Sequence, residues 1–265
     1  MLSTFGRRGL AAAMGLGLLV VYLPLAVVLV NSFNRSRTFS WPPTGLTLHW
    51  WSQAWASTGA RSALTTSLLA GIGATAIALL LGTMAAFAVS RYTWFGRESV
   101  SFLLLLPIAL PGIVTGIALN NAFRIAGAPF GLITIIVGHS TFCVVLVYNN
   151  ALARLRRLGG TLEEASMDLG AGVWQTFRHV TFPLLRSALF AGGLLAFALS
   201  FDEIIVTTFT SAPGVQTLPL WIFANLFRPN QAPVINVVAA ALVVLSVLPV
   251  WLAQRVSGEP VDARR

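Results

Sequence analysis

The sequence predicts an all-α integral membrane protein with six transmembrane helices. Three observations predict the helical membrane class: composition, the spacing of apolar runs, and the placement of arginine. Of 265 residues, 56% are hydrophobic and 9% charged, with a mean hydropathy of +0.80. A soluble domain carries roughly 25% charged residues. A crossing needs about 20 apolar residues, and six such runs fit along the chain.

Arg7 and Arg8 precede an apolar run from about Gly9 to Val30. A secretory signal has an apolar core of only about 7–15 residues, so this run is expected to stay as a first span, bent at Pro24. Asn31 to Ala60 is polar and turn-rich, with Trp50, Trp51 and Trp55 suited either to a membrane interface or to core packing. A second span is expected from about Ser62 to Val89, where Gly71, Gly73, Ala74, Ala78 and Gly82 permit close helix approach. The third, about Ser101 to Phe123, holds Pro107 and Pro111 one turn apart and should kink. Its Gly112 and Gly116 form a GxxxG step, most simply a packing face. The fourth covers roughly Gly131 to Ala151, the fifth begins near Leu184 and reaches about Phe209, and the sixth runs from about Val234 to Ala253. Between the last two, LPLWIFANLF is too short to cross and reads as a re-entrant or interfacial helix.

Arginine sets the orientation. With the N-terminus inside, the inner segments hold Arg7, Arg8, Arg91, Arg97, Arg154, Arg156, Arg157, Arg178, Arg186, Arg255, Arg264 and Arg265; the outer ones hold only Arg35, Arg37, Arg61, Arg124 and Arg228. Twelve against five predicts that both termini are cytoplasmic.

The net charge of +9 does not point to nucleic acid, because the arginines are scattered between apolar spans and form no stripe. All 17 basic residues are Arg. A standard P-loop needs its lysine on the phosphates, so this chain does not supply that ATP site. Cys143 is the one cysteine and forms no internal disulfide. His49, His139 and His179 lie in separate segments, and neither HExxH nor GxSxG occurs, which argues against an intramembrane enzyme. No cofactor is expected.

The stretch from Glu164 to Pro183, EASMDLGAGVWQTFRHVTFP, is polar between two apolar runs. Thr161 with Glu164 fits a capping box, so a helix is expected to start there. Glu163, Glu164 and Asp168 place negative charge near its positive end. Gly170 and Gly172 bracket a break. A second short helix, Val173 to Val180, is expected to follow, with Pro183 stopping it or starting the next element. Two short helices around a tight corner form a knuckle that a soluble partner can grip; an ordinary solvated loop is the plainer reading.

Asp202 and Glu203 sit late in the fifth span, where an acid costs about 2.5–3.5 kcal/mol on insertion scales. They are expected to face a water-filled path, a partner helix or the outer interface. His139 on the fourth span is either a path residue or a hydrogen-bonded tie between helices. Asn120, Asn121 and Arg124 line a path or face headgroups.

The corner resembles the EAA loop of ATP-binding-cassette (ABC) importer permeases: Glu164-Ala165-Ser166, three residues, Gly170, nine residues, Val180, one residue, Phe182-Pro183. Ser166, Val180 and Phe182 stand where the family pattern has Ala, Ile and Leu. The likeness extends over nearly the whole chain. PPTGLTLHWW, SRYTWFGR, LLPIALPGIVTG, GHSTFCVV, SFDEIIVTTF and TLPLWIF look like the spermidine/putrescine-type subgroup. The resemblance implies the type I ABC importer permease fold, with a permease core at 61–256 after a first helix and external loop at 1–60, and a short cytoplasmic tail at 257–265. It implies that Glu164, Ala165, Ser166, Asp168, Gly170 and Pro183 couple to a dimer of ATP-hydrolysing subunits. Asp202, Glu203 and His139 are the candidate solute path. The other implied partners are a second homologous permease, an extracytoplasmic solute-binding protein and membrane lipid. Asp202 and Glu203 match an acidic pair of the subgroup and suit a polycation such as putrescine or spermidine. The alternatives are another small solute on the same scaffold, or a stand-alone transporter using those acids as an ion site.

Overall fold

A computed structural model describes residues 4–38, 40–228 and 230–257. Among these the secondary structure is helical, apart from an isolated antiparallel bridge between Asn34 and Leu46. The elements are α1 (Thr4–Asn31), α2 (His49–Ala56), α3 (Thr58–Arg91), α4 (Arg97–Ala109), α5 (Gly112–Ile125), α6 (Leu132–Leu158), α7 (Thr161–Asp168), α8 (Val173–Thr176), a π-helical turn (Phe177–Thr181), α9 (Phe182–Asp202), α10 (Ile205–Thr210), α11 (Leu218–Asn225) and α12 (Ala232–Ser257). All but the first residue of the expected tail 257–265 lie outside the described residues, Arg264 and Arg265 included.

Among the described residues, four helical stretches are long and apolar enough to cross a bilayer: Gly6–Asn31, Thr58–Arg91, Leu132–Leu158 and Val173–Asp202. A fifth crossing results if α4 and α5 are taken together. The expected third span is thus broken rather than kinked, with α4 and α5 meeting at 106°. Leu110 and Pro111 between them are extended, since a residue before proline is driven out of the helical region. The expected fifth span also ends early. α9 stops at Asp202, Glu203 turns extended at ψ 124°, and α10 is a separate six-residue helix. The sixth run is helical as α12, which covers the expected span from about Val234 to Ala253.

The chain divides into two compact units, Met1–Arg61 with Ile222–Leu248, and Ser62–Trp221 with Pro249–Arg265. In the first unit the apolar stretch of α1 buries none of its residues, so lipid or another chain must cover it. The tryptophans of α2 divide their roles. Trp50 is buried and its indole N–H donates to the Asn34 carbonyl at 3.0 Å, Trp51 stacks on Phe33 with centroids 5.3 Å apart, and Trp55 is exposed.

In the second unit α6 is the central rod. Its residues His139, Cys143, Val147, Tyr148, Ala151 and Leu155 are buried. α3 reaches it through small residues: Ala70, Ala74 and Ala78 are fully buried, and a Cβ on Gly82 would lie 2.8 Å from the Val144 carbonyl oxygen. α9 packs antiparallel on another side of α6. Arg154 donates to the Leu184 carbonyl at one end, and His139 meets Ser200 at the other. The GxxxG face of α5 receives α10, with Gly112 against Ile205 and Gly116 against the Phe209 ring. The packing reading of that step therefore holds.

Candidate functional site

The corner forms as its residues dictate, with two corrections. α7 starts at Thr161, but Thr161 is its first helical residue rather than its cap. Gly160 occupies the cap position without a side-chain bond, and its carbonyl accepts from the Glu164 N–H at 2.9 Å. At the other end Gly170 stands at φ +87°, the left-handed region that glycine enters without strain. Its N–H donates to Met167, and the Ala171 N–H reaches back to Ser166. These two bonds are the Schellman pattern that satisfies the last carbonyls of a helix.

The second correction concerns the helix after the break. α8 ends at Thr176, and the chain continues through the π-helical turn Phe177–Thr181 straight into α9. Of the two alternatives for Pro183, the second holds: it does not stop a helix but starts the next element. It sits in the first turn of α9, just after the widened turn in which Phe182 N–H bonds the Phe177 carbonyl five residues back. The shifted register removes the clash that a mid-helix proline would make with the carbonyl four residues earlier.

The corner has two faces. Glu164, Ala165 and Asp168 are exposed, as are Leu162, Met167, Leu169, Val173 and Trp174; Leu169 is 90% and Trp174 68% exposed. Trp174 stacks on Phe177 at 5.6 Å, which fixes its plane. Glu163 and Ser166 turn the other way, one helical turn apart. The Ser166 and Thr176 hydroxyls lie 3.1 Å apart. Glu163 forms an ion pair with Arg91 at the end of α3, Nε to Oε2 at 2.8 Å, and accepts from Arg91 Nη2 at 2.9 Å. The Thr181 hydroxyl donates to the same Oε1 at 2.9 Å. Among the six expected coupling residues, Ser166 thus faces the fold, and Pro183 lies beyond the corner. The sequence marked Glu163 only as a charge near a helix end and Arg91 only as an orienting charge.

The acids lie at the break between α9 and α10. Asp202 is exposed and makes no hydrogen bond or ion pair among the described residues. Glu203 is half-buried; its Oε1 accepts the Val206 N–H at 2.8 Å, and its carbonyl accepts from Thr207. One acid is therefore free, and the other holds the start of α10. His139 is fully buried, with Nδ1 2.8 Å from the Ser200 hydroxyl and Nε2 2.9 Å from the Thr207 hydroxyl. Both ring nitrogens are engaged, which ties α6 to α9 and α10. Nearby, Asn120 and Arg124 line a groove of about 550 Å³ with Thr208, Ser211 and Gln216. Arg124 donates to Asn120 at 2.8 Å and lies over the Phe130 ring.

The corner, the apolar spans and the broken helices together fit a transport component, and comparison decides which. The family described as "Binding-protein-dependent transport system inner membrane component" matches residues 78–258. The chain belongs to that family. This makes it a multi-pass membrane transport subunit rather than an enzyme. It is similar to the putrescine transport system permease protein PotI of Escherichia coli (strain K12), at 34% identity over 235 residues, covering 86% of this chain and 83% of that one. It is also similar to the spermidine/putrescine transport system permease protein PotC of the same strain, at 32% over 238 residues and 89% of each chain. A solved bacterial ABC transporter involved in the import of the acidic polysaccharide alginate shares the fold, with a TM-score of 0.70 at 18% identity over 97% of this chain and 98% of that one.

Proposed function

We propose that this transport component is one of two permease subunits of an ATP-driven importer of polyamines such as putrescine or spermidine. A separate pair of ATP-hydrolysing subunits supplies the work, and an extracytoplasmic binding protein delivers the solute. The observation that carries the reading is the two-faced corner at Gly170: an exposed apolar cap of Leu169, Val173 and Trp174 beside the acids Glu164 and Asp168. Apolar side chains this exposed on a rigid corner are what a groove in a soluble partner would cover. The arginine bias supports a cytoplasmic corner and cytoplasmic termini.

In this mechanism Glu164, Ala165, Asp168 and the apolar cap contact the ATPase, while Ser166 and Gly170 hold the corner's shape. Closure of the two ATPase subunits on nucleotide drags the corners and rocks the spans from inward-open to outward-open. Hydrolysis resets them. Asp202, exposed and unpaired, and Glu203 beside it attract the ammonium groups of a polycation at the helix break. The buried ring of His139 holds that break in shape. The names of the relatives support the substrate class, as does an unpaired acid on a span, which is costly unless a cation or water meets it. The first helix with its external loop at 1–60 serves as anchor, the core at 61–256 as path, and 257–265 as a short tail.

The test is reconstitution. The purified assembly in vesicles is expected to take up labelled putrescine only with ATP and only when the ATPase subunits are present. Cross-links from position 169 or 174 are expected to land on the ATPase. Uptake by this chain without an ATPase, driven by an ion gradient, would overturn the reading.

A further inference from the structure

We infer that Glu163 is a positioning residue that stiffens the corner into a lever by clamping it to the ends of α3 and α9 at once. The inference rests on the importer reading and names the residue through which movement of the corner reaches the spans.

α7 is jointed at both ends. Gly159 stands at φ +64° before it and Gly170 at φ +87° after it. It has no buried residue, so apolar packing does not hold its angle. Two polar links replace packing. The Ser166–Thr176 contact closes the corner on itself. Glu163 is the one that reaches outward: its carboxylate accepts one hydrogen bond from Arg91 Nη2, 72 residues away in the chain, lies 2.8 Å from Arg91 Nε as an ion pair, and accepts the Thr181 hydroxyl as well. A charge-assisted hydrogen bond with a close ion contact beside it is stronger than a neutral one and holds the carboxylate near the end of α3. Both side chains are about four-fifths buried, at 20% and 18% exposure, so water competes weakly for them.

The partners are the roots of the two helices that flank α6. Arg91 ends α3, a 34-residue rod that meets α6 backbone to backbone at Gly82. Thr181 ends the π-helical turn that runs into α9. T-shaped packing of Phe87 of α3 on Phe177 at 5.7 Å lies beside the clamp. A pull on α7 therefore moves α3 and α9 together when Glu163 is gripped. When it is not, the pull is absorbed by rotation at Gly159 and Gly170. The exposed Glu164 next along the helix makes no such contact with α3 or α9.

The experiment uses the full importer in vesicles and reads three quantities: ATPase subunits retained on purification, ATP hydrolysed, and putrescine taken up per ATP. For Glu163→Gln, retention and hydrolysis are expected to stay near wild type, while uptake per ATP falls by about three- to thirtyfold, the range of measured coupling effects. The charge swap Arg91→Glu with Glu163→Arg is expected to recover much of that loss, because the hydroxyl of Thr181 can accept as well as donate. A variant that was merely unstable would lose retention and hydrolysis alongside uptake. Arg91→Cys with Glu163→Cys, bridged by a short reversible bis-thiosulfonate, gives a readout independent of the native pair: the bridged transporter is expected to keep its uptake. Glu163→Gln with wild-type uptake per ATP, or a bridge that stops uptake until it is reduced, would overturn the lever. Failure of the importer reading shows separately, as a wild-type chain that retains no ATPase.

Discussion

Asn120 on α5 donates its side-chain amide to the Phe209 carbonyl on α10 at 2.6 Å. Thr134 of α6 reaches the next carbonyl, Thr210, at 2.7 Å. Glu203 takes the Val206 N–H at the other end. A six-residue helix leaves most of its terminal groups without intrahelical partners, so α10 stands where it does because three neighbours satisfy it. His139 adds the links to Ser200 and Thr207. Interhelical hydrogen bonds in membranes average about 0.6 kcal/mol and reach about 1.7. His139→Leu is therefore expected to cost about 1–3 kcal/mol, read as a thermal midpoint in detergent lowered by about 2–10 °C. The half-saturation for putrescine is expected to stay put, because both ring nitrogens are already bonded within the fold.

The acids at the break give the opposite pattern. Glu203→Gln keeps an oxygen for Val206 N–H, so α10 stays capped. Asp202→Asn together with Glu203→Gln is expected to leave the thermal midpoint near wild type and to raise the half-saturation for putrescine about tenfold or more, since hydrogen bonds to charged groups are worth about 1.5–3 kcal/mol. Unchanged half-saturation and rate would place the solute path elsewhere. Glu203→Ala also removes the cap and is expected to cost about 1 kcal/mol of stability.

Close backbone approach makes Gly82 intolerant. A Cβ there would meet the Val144 carbonyl oxygen at 2.8 Å and the Tyr148 nitrogen at 3.0 Å. Backbone cannot swing aside as a side chain can, so Gly82→Val is expected to cost about 1–3 kcal/mol and lower the thermal midpoint. Gly15→Ala in α1, with nothing within 4 Å, is the control and should cost nothing.

At Gly170 the limit is conformation rather than space, since a Cβ there meets nothing within 4 Å. A non-glycine residue in the left-handed region costs about 1–2 kcal/mol. Gly170→Val is expected to open the Schellman turn, retain little ATPase on purification and abolish uptake. Gly170→Asn, which tolerates that region, should keep a substantial share of both.

The spans and the corner were legible in the sequence because both are local. Hydropathy over about 20 residues marks a crossing, and Gly170 followed by Gly172 marks a break wherever the chain goes. Pro107 and Pro111 announced a disturbance, yet not a 106° break, because where α5 goes is set by the face it finds on α10. The fifth run read as one helix through Phe209, since every residue from Ile204 to Phe209 is compatible with one; the interruption follows from Glu203 capping α10. The placement of Trp50 against Asn34 was equally invisible, both a core and an interface being consistent with its type.

By itself the sequence determined the membrane class, the absence of a P-loop lysine, and a polar corner turned by glycine between apolar runs. Only the tertiary structure decided which acid does what. Successive helical residues point about 100° apart, so Glu163 and Glu164 cannot share a face, but the sequence does not say how α7 is rolled. That roll is fixed by Arg91 and Thr181, far along the chain, which turn Glu163 inward and leave Glu164 to the solvent. The same holds at the break, where Asp202 stays open and Glu203 is claimed by a backbone N–H three residues on.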